Sequence, residues 1–173
     1  TQAERGIAAA QNDLGFRCLE GSYVGQNDEQ AVKWFRMAAE QGLAEAQHNL
    51  ALCYYNGRGA EQDWRKAAEW FHRAAAQGVA EAQLNLGLRY ANGEGVDKDP
   101  VQAAEWYRRA AEQGNASAQL LLGLCYYSGS GVEQQDFTQS AEWIRKAAEQ
   151  GLADAQLSFG KCFYSSVGRA TDS

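Results

Sequence analysis

One motif returns along the chain every 36 or 37 residues. WFRMAAEQG closes at Gly42, WFHRAAAQG at Gly78, WYRRAAEQG at Gly114 and WIRKAAEQG at Gly151. Each closing is followed by a related opening: AEAQHNLALCYYNGRG from Ala44, AEAQLNLGLRYANGEGV from Ala80, ASAQLLLGLCYYSGSGV from Ala116 and ADAQLSFGKCFYSSVG from Ala153. A fixed period of this length marks a solenoid, in which each unit buries its apolar face only by stacking on its neighbours. Such an array presents an extended surface and seldom carries a catalytic centre.

The unit beginning at Leu43 reads as two helices. Ala46, Leu50 and Tyr54 are spaced by four, with Ala51 alongside, so they form one helical stripe. Gly57 and Gly59 stop that helix, because glycine tolerates the left-handed conformation of a helix end. Asp63 can then cap a second helix, and Asp99-Pro100 makes the same point one unit later. The second helix turns Ala67, Trp70, Phe71, Ala74 and Ala75 inward and ends at Gln77-Gly78. Glu69 and Arg73, Glu105 and Arg109, and Glu142 and Lys146 stand four apart in the favoured acid-first order. Gly87, Gly123 and Gly160 recur where helices must approach closely, and Trp34, Trp70, Trp106 and Trp143 recur where gaps must be filled.

The predicted fold is therefore all-α: a right-handed α-α superhelix of helix-turn-helix repeats. First helices are expected near 7–20, 43–56, 79–92, 115–128 and 152–165, with partners near 28–41, 64–77, 100–113 and 137–150. The units are 7–42, 43–78, 79–114 and 115–151, with a half unit at 152–165 completing a solenoid over 1–165. Residues 166–173 abandon the pattern and read as an irregular tail. The half unit has no following Trp helix, so Leu157, Phe159 and Phe163 are expected to lack part of their cover. That edge is a candidate for contact with further repeats or with a second copy of the chain.

A net charge of −6 argues against nucleic acid as the main partner, since phosphate binding needs a basic face. No run of 18 apolar residues is present, so no membrane insertion is expected. Cys53, Cys125 and Cys162 hold the same place in their repeats, and Cys18 stands apart. Equivalent helices in adjacent units lie roughly 8–10 Å apart, too far for a disulfide, whose Cα atoms stand about 4.4–6.8 Å apart. The four are read as free thiols, which a reducing compartment such as the cytoplasm favours. The start, TQAERG, is neither a signal peptide nor an initiator Met, so export stays open.

Ala82, Leu86-Gly87, Tyr90, Gly93, Gly95-Val96, Asp99, Ala103, Trp106, Ala110-Ala111 and Gly114 together resemble the Sel-1-like repeat family, relatives of the tetratricopeptide repeat. The match recurs over about residues 7–164. It departs in three places. Gly21 to Gly25 replaces the tight G-x-G turn in the first unit, one extra residue lies between Val132 and Asp136, and the fifth unit has a first helix only. The resemblance implies an adaptor that binds proteins or peptides, often in bacterial signalling, envelope or host-interaction settings. Some cysteine-rich relatives carry a disulfide in every repeat and are linked to penicillin binding or β-lactam hydrolysis. This chain lacks their cysteine pairing, so a hydrolase of that kind is the alternative reading and not the first.

With the core stripe set aside, the first helices keep a second stripe with spacings of 4, 4 and 3, which holds to one side of a helix. It reads Glu45, Asn49, Cys53, Asn56, then Glu81, Asn85, Arg89, Asn92, then Ser117, Leu121, Cys125, Ser128, and last Asp154, Ser158, Cys162, Ser165. In tetratricopeptide solenoids the first helices line the concave surface, and the resemblance implies the same here. Asn donates and accepts, which suits a peptide backbone, and Arg89 is expected to be the charged anchor for a carboxylate. The competing reading is a solvated polar face on which Asn56 and Asn92 simply finish helices ahead of Gly.

No catalytic constellation emerges, so no enzyme is expected. The Trp series reads as core. His48 and His72 lie in different helices with no cysteine at metal-site spacing, so neither metal nor cofactor is expected. Ser158-Phe-Gly-Lys161 matches the S-x-x-K of penicillin-binding enzymes, but S-D-N and K-T-G are absent. Asn115-Ala-Ser117 fits a glycosylation acceptor where one helix gives way to the next.

Overall fold

A computed structural model describes residues 2–21 and 27–158. Its helices are α1 (Gln2–Glu20), α2 (Asp28–Glu40), α3 (Ala44–Asn56), α4 (Trp64–Ala76), α5 (Ala80–Asn92), α6 (Pro100–Glu112), α7 (Ala116–Ser128) and α8 (Phe137–Glu149). Residues 153–158 are helical too, and no strand occurs among the described residues. Each helix packs on its neighbours in sequence: α1 on α2, α3 on α4, α5 on α6 and α7 on α8 within units, and α2 on α3, α4 on α5 and α6 on α7 between them. The result is an all-α solenoid. The first helix begins at Gln2 rather than near residue 7, because Gln, Ala, Glu and Arg are good helix formers upstream of the repeating motif.

The second helices start where the acidic caps stand. Asp63 accepts from the Lys66 amide at 3.0 Å, Asp99 from Val101 and Gln102, and Asp136 from Thr138 and Gln139. Asn27 does the same for α2 by accepting from Gln30. The caps' own amides reach back to the preceding helix: Asp63 to the Tyr54 carbonyl, Asp99 to Tyr90 and Asp136 to Tyr126. The last spans one residue more than the others, so the insertion after Val132 is absorbed in the loop and the cap still finds its tyrosine. Asn115 caps α7 by accepting from the Ala118 amide, which gives the glycosylation-like triplet a structural role.

The G-x-G loops do more than end helices. Gly57 and Gly93 are left-handed C-caps, as expected. The second glycines, Gly59, Gly95 and Gly131, also have positive φ, and each lies flat against the start of the second helix one unit back. A Cβ at Gly95 would stand 2.0 Å from the Trp64 carbonyl oxygen; at Gly59 and Gly131 it would meet Asp28 and Pro100 equally closely.

The deepest large side chains are Phe35, Phe71 and Ile144, fully buried, with Tyr107 nearly so. The tryptophan one residue earlier is a shoulder of the core rather than its centre. Trp106 is buried, at 7% exposure, and Trp34, Trp70 and Trp143 are partly buried and pack against the core from its margin. Their outer faces carry cations: Arg73 lies 4.4 Å above Trp70, Arg109 4.6 Å above Trp106 and Lys146 4.0 Å above Trp143. Of the three expected acid-first pairs, only Glu105–Arg109 forms an ion pair among the described residues, at 3.1 Å. At the C-terminal edge Leu157 is 64% exposed; Phe159, Phe163, Lys161 and the tail at 166–173 lie outside the described residues.

A chain of glutamines, not anticipated from the sequence, joins the units. Gln47, Gln83 and Gln119 are buried on first helices. Each donates its amide to a carbonyl of the preceding second helix: Gln47 to Ala39 at 3.2 Å, Gln83 to Ala75 at 3.1 Å and Gln119 to Ala111 at 3.1 Å. Each accepts from the glutamine that closes its own second helix, Gln77, Gln113 and Gln150, at 2.7–2.8 Å. Gln77 and Gln150 donate as well to Gly42 and Gly114. Gln83→Leu keeps the volume but leaves the Ala75 carbonyl and the Gln113 amide without their partner, a loss of about 1–3 kcal/mol. Urea unfolding is expected to show this loss, with Gln113→Ala costing less because that side chain is exposed; equal midpoints for Gln83→Leu and the parent would refute the role.

Candidate functional site

The expected ladder of first-helix residues is present, at three depths. Glu45, Asn56, Glu81, Asn92, Ser117 and Ser128 are exposed. Asn49, Asn85, Leu121 and Cys125 are half-buried, and Cys53 and Arg89 are buried. In the last unit Asp154 is exposed and Ser158 half-buried; Cys162 and Ser165 lie outside the described residues.

Adjacent units touch along this face. The Asn49 amide donates to Asn12 Oδ1 at 2.9 Å, and Asn85 Nδ2 lies 3.3 Å from His48 Nε2 while also donating to the Glu81 carbonyl. Burial holds the His48 pKa below its ordinary value, against the opposing pull of Glu81. Ser128 donates back to Leu124, and Asn92 reaches Glu94 at 3.3 Å. Asn49 and Asn85 thus tie unit to unit and remain half-buried, while Asn56 and Asn92 are exposed.

Arg89 is not an exposed anchor. At 4% exposure its guanidinium lies 3.8 Å from the Tyr55 ring centroid, and Nε stands 3.0 Å from Glu94 Oε2. The angle is poor for a hydrogen bond, so the attraction to Glu94 is charge against charge. Tyr55 OH in turn donates to Glu94 at 3.4 Å. Glu94 stands in the G-x-G loop five residues on, where the unit before has Arg58 and the unit after Ser130. The carboxylate that Arg89 holds is the chain's own.

What Arg89 fills in the third unit stays open in the second. There Cys53 is short, and a cleft of about 160 Å³ lies between α1 and α3. Phe16, Leu19, Phe35 and Leu52 make its apolar wall, with Asn49, Asn56 and Arg58 around them. Phe16 is 42% exposed, and in the same register Leu124 is 40% exposed, with Tyr127 beside it. An apolar row therefore runs beside the asparagines, a feature the sequence reading did not single out although Phe16, Leu52, Leu88 and Leu124 recur every 36 residues.

A family model described as Sel1 repeat matches residues 8–43, 44–79, 80–115 and 116–152. The chain belongs to the Sel1 repeat family. Sel1 repeat proteins are commonly protein-interaction scaffolds and are generally non-enzymatic. Among solved structures, the chain is similar to a protective antigen with an SLR fold from uropathogenic Escherichia coli, at 44% identity and a TM-score of 0.84. It is also similar to a Sel1 repeat protein from Oxalobacter formigenes, at 38% identity and a TM-score of 0.85. The alignments cover 89% and 90% of this chain, but only 33% and 64% of those two proteins. Cysteine-rich protein B of Helicobacter pylori shares the fold at 24% identity and a TM-score of 0.59, over 78% of this chain and 96% of that one. A comparison with curated proteins found no match.

The described cysteines of this Sel1 repeat array, Cys18, Cys53 and Cys125, are free thiols. Burial pushes the Cys53 thiol up to about 11 and raises Cys125 as well, which makes both poor nucleophiles at neutral pH. Among the described residues no group of three or more His, Cys, Asp or Glu could hold a metal ion, and no helix is long and apolar enough to cross a membrane. A raised thiol pKa also sets a sign for stability. The unfolded chain releases the Cys53 proton near 9 and the folded chain only near 11. Stability is therefore full below pH 9 and falls as pH rises toward 11. Urea midpoints at rising alkaline pH are expected to decline, and less steeply for Cys53→Ala; an unchanged slope in that variant would remove Cys53 as the cause.

Proposed function

We propose that the chain is a protein-binding scaffold whose first-helix face seats an extended or helical segment of another protein. The observation that carries this reading is the row of half-buried and exposed asparagines beside partly exposed apolar side chains and the cleft at Cys53. Backbone groups of a bound segment would meet Asn49, Asn56, Asn85 and Asn92. Its apolar side chains would enter beside Phe16, Leu52, Leu121 and Leu124, over Cys53 and Cys125. Glu45, Glu81 and Ser128 would form a polar rim. Arg89 would act from beneath, holding Tyr55 and Glu94 in place. A small number of such contacts carries most of the affinity in interfaces of this kind.

Selection of peptides from a random displayed library on the immobilised chain tests the face. Selected peptides are expected to lose about tenfold or more in affinity, roughly 1.4 kcal/mol, for an Asn49→Ala, Asn85→Ala, Leu124→Asp variant. They should bind a Glu105→Ala, Lys146→Ala variant on the second helices like the parent. Equal affinity for both variants would move the binding site off the first helices.

A further inference from the structure

The second helices carry a different site, at the junction between α4 and α5. In two of the described junctions an arginine latches the tyrosine of the next unit: Arg36 donates to Tyr54 OH at 2.7 Å, and Arg108 to Tyr126 OH at 3.2 Å. In the same register the middle junction has His72 and Tyr90. His72 turns instead to the edge of Trp106, with ring centroids 5.8 Å apart. The Tyr90 hydroxyl has no hydrogen-bond partner among the described residues. A cleft of about 390 Å³ opens beside it, floored by Ala68, Leu86 and Tyr90 and walled by Arg65, Glu69, His72 and Arg73.

The charges around this cleft set it apart. Neither Arg65 nor Arg73 forms an ion pair among the described residues. The corresponding places are Glu29 and Met37 in the first unit, and Val101 and Arg109 in the third. Arg109 is already paired with Glu105, and the hollow beside Arg108 is lined by the carboxylates of Glu133 and Asp136. Among the described junctions, only the middle one gathers two guanidiniums without an ion pair, Arg65 and the Trp70-stacked Arg73, with the one carboxylate of Glu69, around a cleft that the unlatched Tyr90 lines.

We infer that this cleft binds a carboxylate side chain of an acidic peptide segment. The carboxylate would take the Tyr90 hydroxyl proton as a hydrogen bond and lie between Arg65 and Arg73, which offer charge-assisted donors. The site shares no residue with the first-helix ladder, so it stands or falls independently of the reading above.

A fluorescently labelled tetraglutamate peptide is a demanding probe, because a chain of net charge −6 repels it overall. Anisotropy is expected to show saturable binding of tetraglutamate and none of tetraglutamine, with NMR shifts centred on His72 and Tyr90. An Arg65→Gln, Arg73→Gln variant is expected to lose at least about tenfold in affinity, or roughly 1.4 kcal/mol. Arg109→Gln with Lys146→Gln, which removes the same charge elsewhere on the second helices, should bind like the parent. Tyr90→Phe should weaken binding without moving the unfolding midpoint. Equal loss in the two charge variants, equal binding of tetraglutamine, or saturable shifts that bypass His72 and Tyr90 would each overturn the assignment.

Discussion

Gly95→Ala is expected to destabilise the protein by about 3 kcal/mol or more. Two costs combine. The left-handed backbone at φ 78° disfavours any L side chain, by about 1–2 kcal/mol. The new methyl would also meet the Trp64 carbonyl oxygen at 2.0 Å, and that atom belongs to the backbone of α4, so relief requires the loop and the preceding unit to part. Gly87→Ala is the control. Its methyl would stand 2.6 Å from a Tyr107 ring carbon and 3.2 Å from the Ala103 carbonyl oxygen, so the close contact is with a side chain and the backbone need give only a few tenths of an ångström. The second unit already holds Ala51 against Phe71 in this register, both fully buried. Alanine also gains up to about 1 kcal/mol over glycine in a helix. Gly87→Ala should therefore change stability by less than about 1.5 kcal/mol. Thermal melts of the two variants decide the matter: a Gly95→Ala protein as stable as Gly87→Ala would mean that the G-x-G loop does not bear on the unit before it.

Phe71→Ala should cost about 3–5 kcal/mol, the range for emptying a buried aromatic site. Trp70→Ala, one residue earlier and larger, should cost less, about 2 kcal/mol, because its ring is only partly buried at the margin of the core and one face lies under Arg73. Because neighbouring units share their interfaces, the Phe71 loss should spread to the units on either side, and hydrogen exchange would show faster opening in α2 and α6 as well as α4. A Trp70→Ala variant that unfolds before Phe71→Ala would restore tryptophan to the centre of the core.

The deeper burial of Phe71 than of Trp70 shows what a single sequence conveys. Trp70 and Phe71 are about 100° apart on the helix and both border the apolar stripe, so periodicity alone does not say which of them faces the neighbouring helix. The helices themselves were legible, since the repeats, the Gly stops and the Asp caps all agree. Arg89 was misplaced because its partners, Tyr55 and Glu94, come from the previous unit and from a loop, and a stripe drawn on one helix includes neither. The glutamines escaped because a polar residue in a stripe reads as surface. Their signal was register: Gln47, Gln83 and Gln119 sit beside Ala46, Ala82 and Ala118, which are among the most deeply buried positions of their helices. A polar residue held at such a place in every unit is bonding to backbone.

The glutamine chain has a further consequence. Each buried amide reaches a carbonyl only eight residues behind it, and among the described residues the longest side-chain hydrogen bond between units spans 39 residues. A copy of one unit spliced in at a unit boundary would bring its own donor and find a waiting acceptor, and only the ties across that one boundary would be re-made, with the copy's equivalent residues. Contact distance along the chain then stays constant as the array lengthens, and with it the entropy of loop closure that slows folding. An architecture tied this way can gain or lose whole units by duplication or deletion, and its length is free to follow the size of whatever it holds.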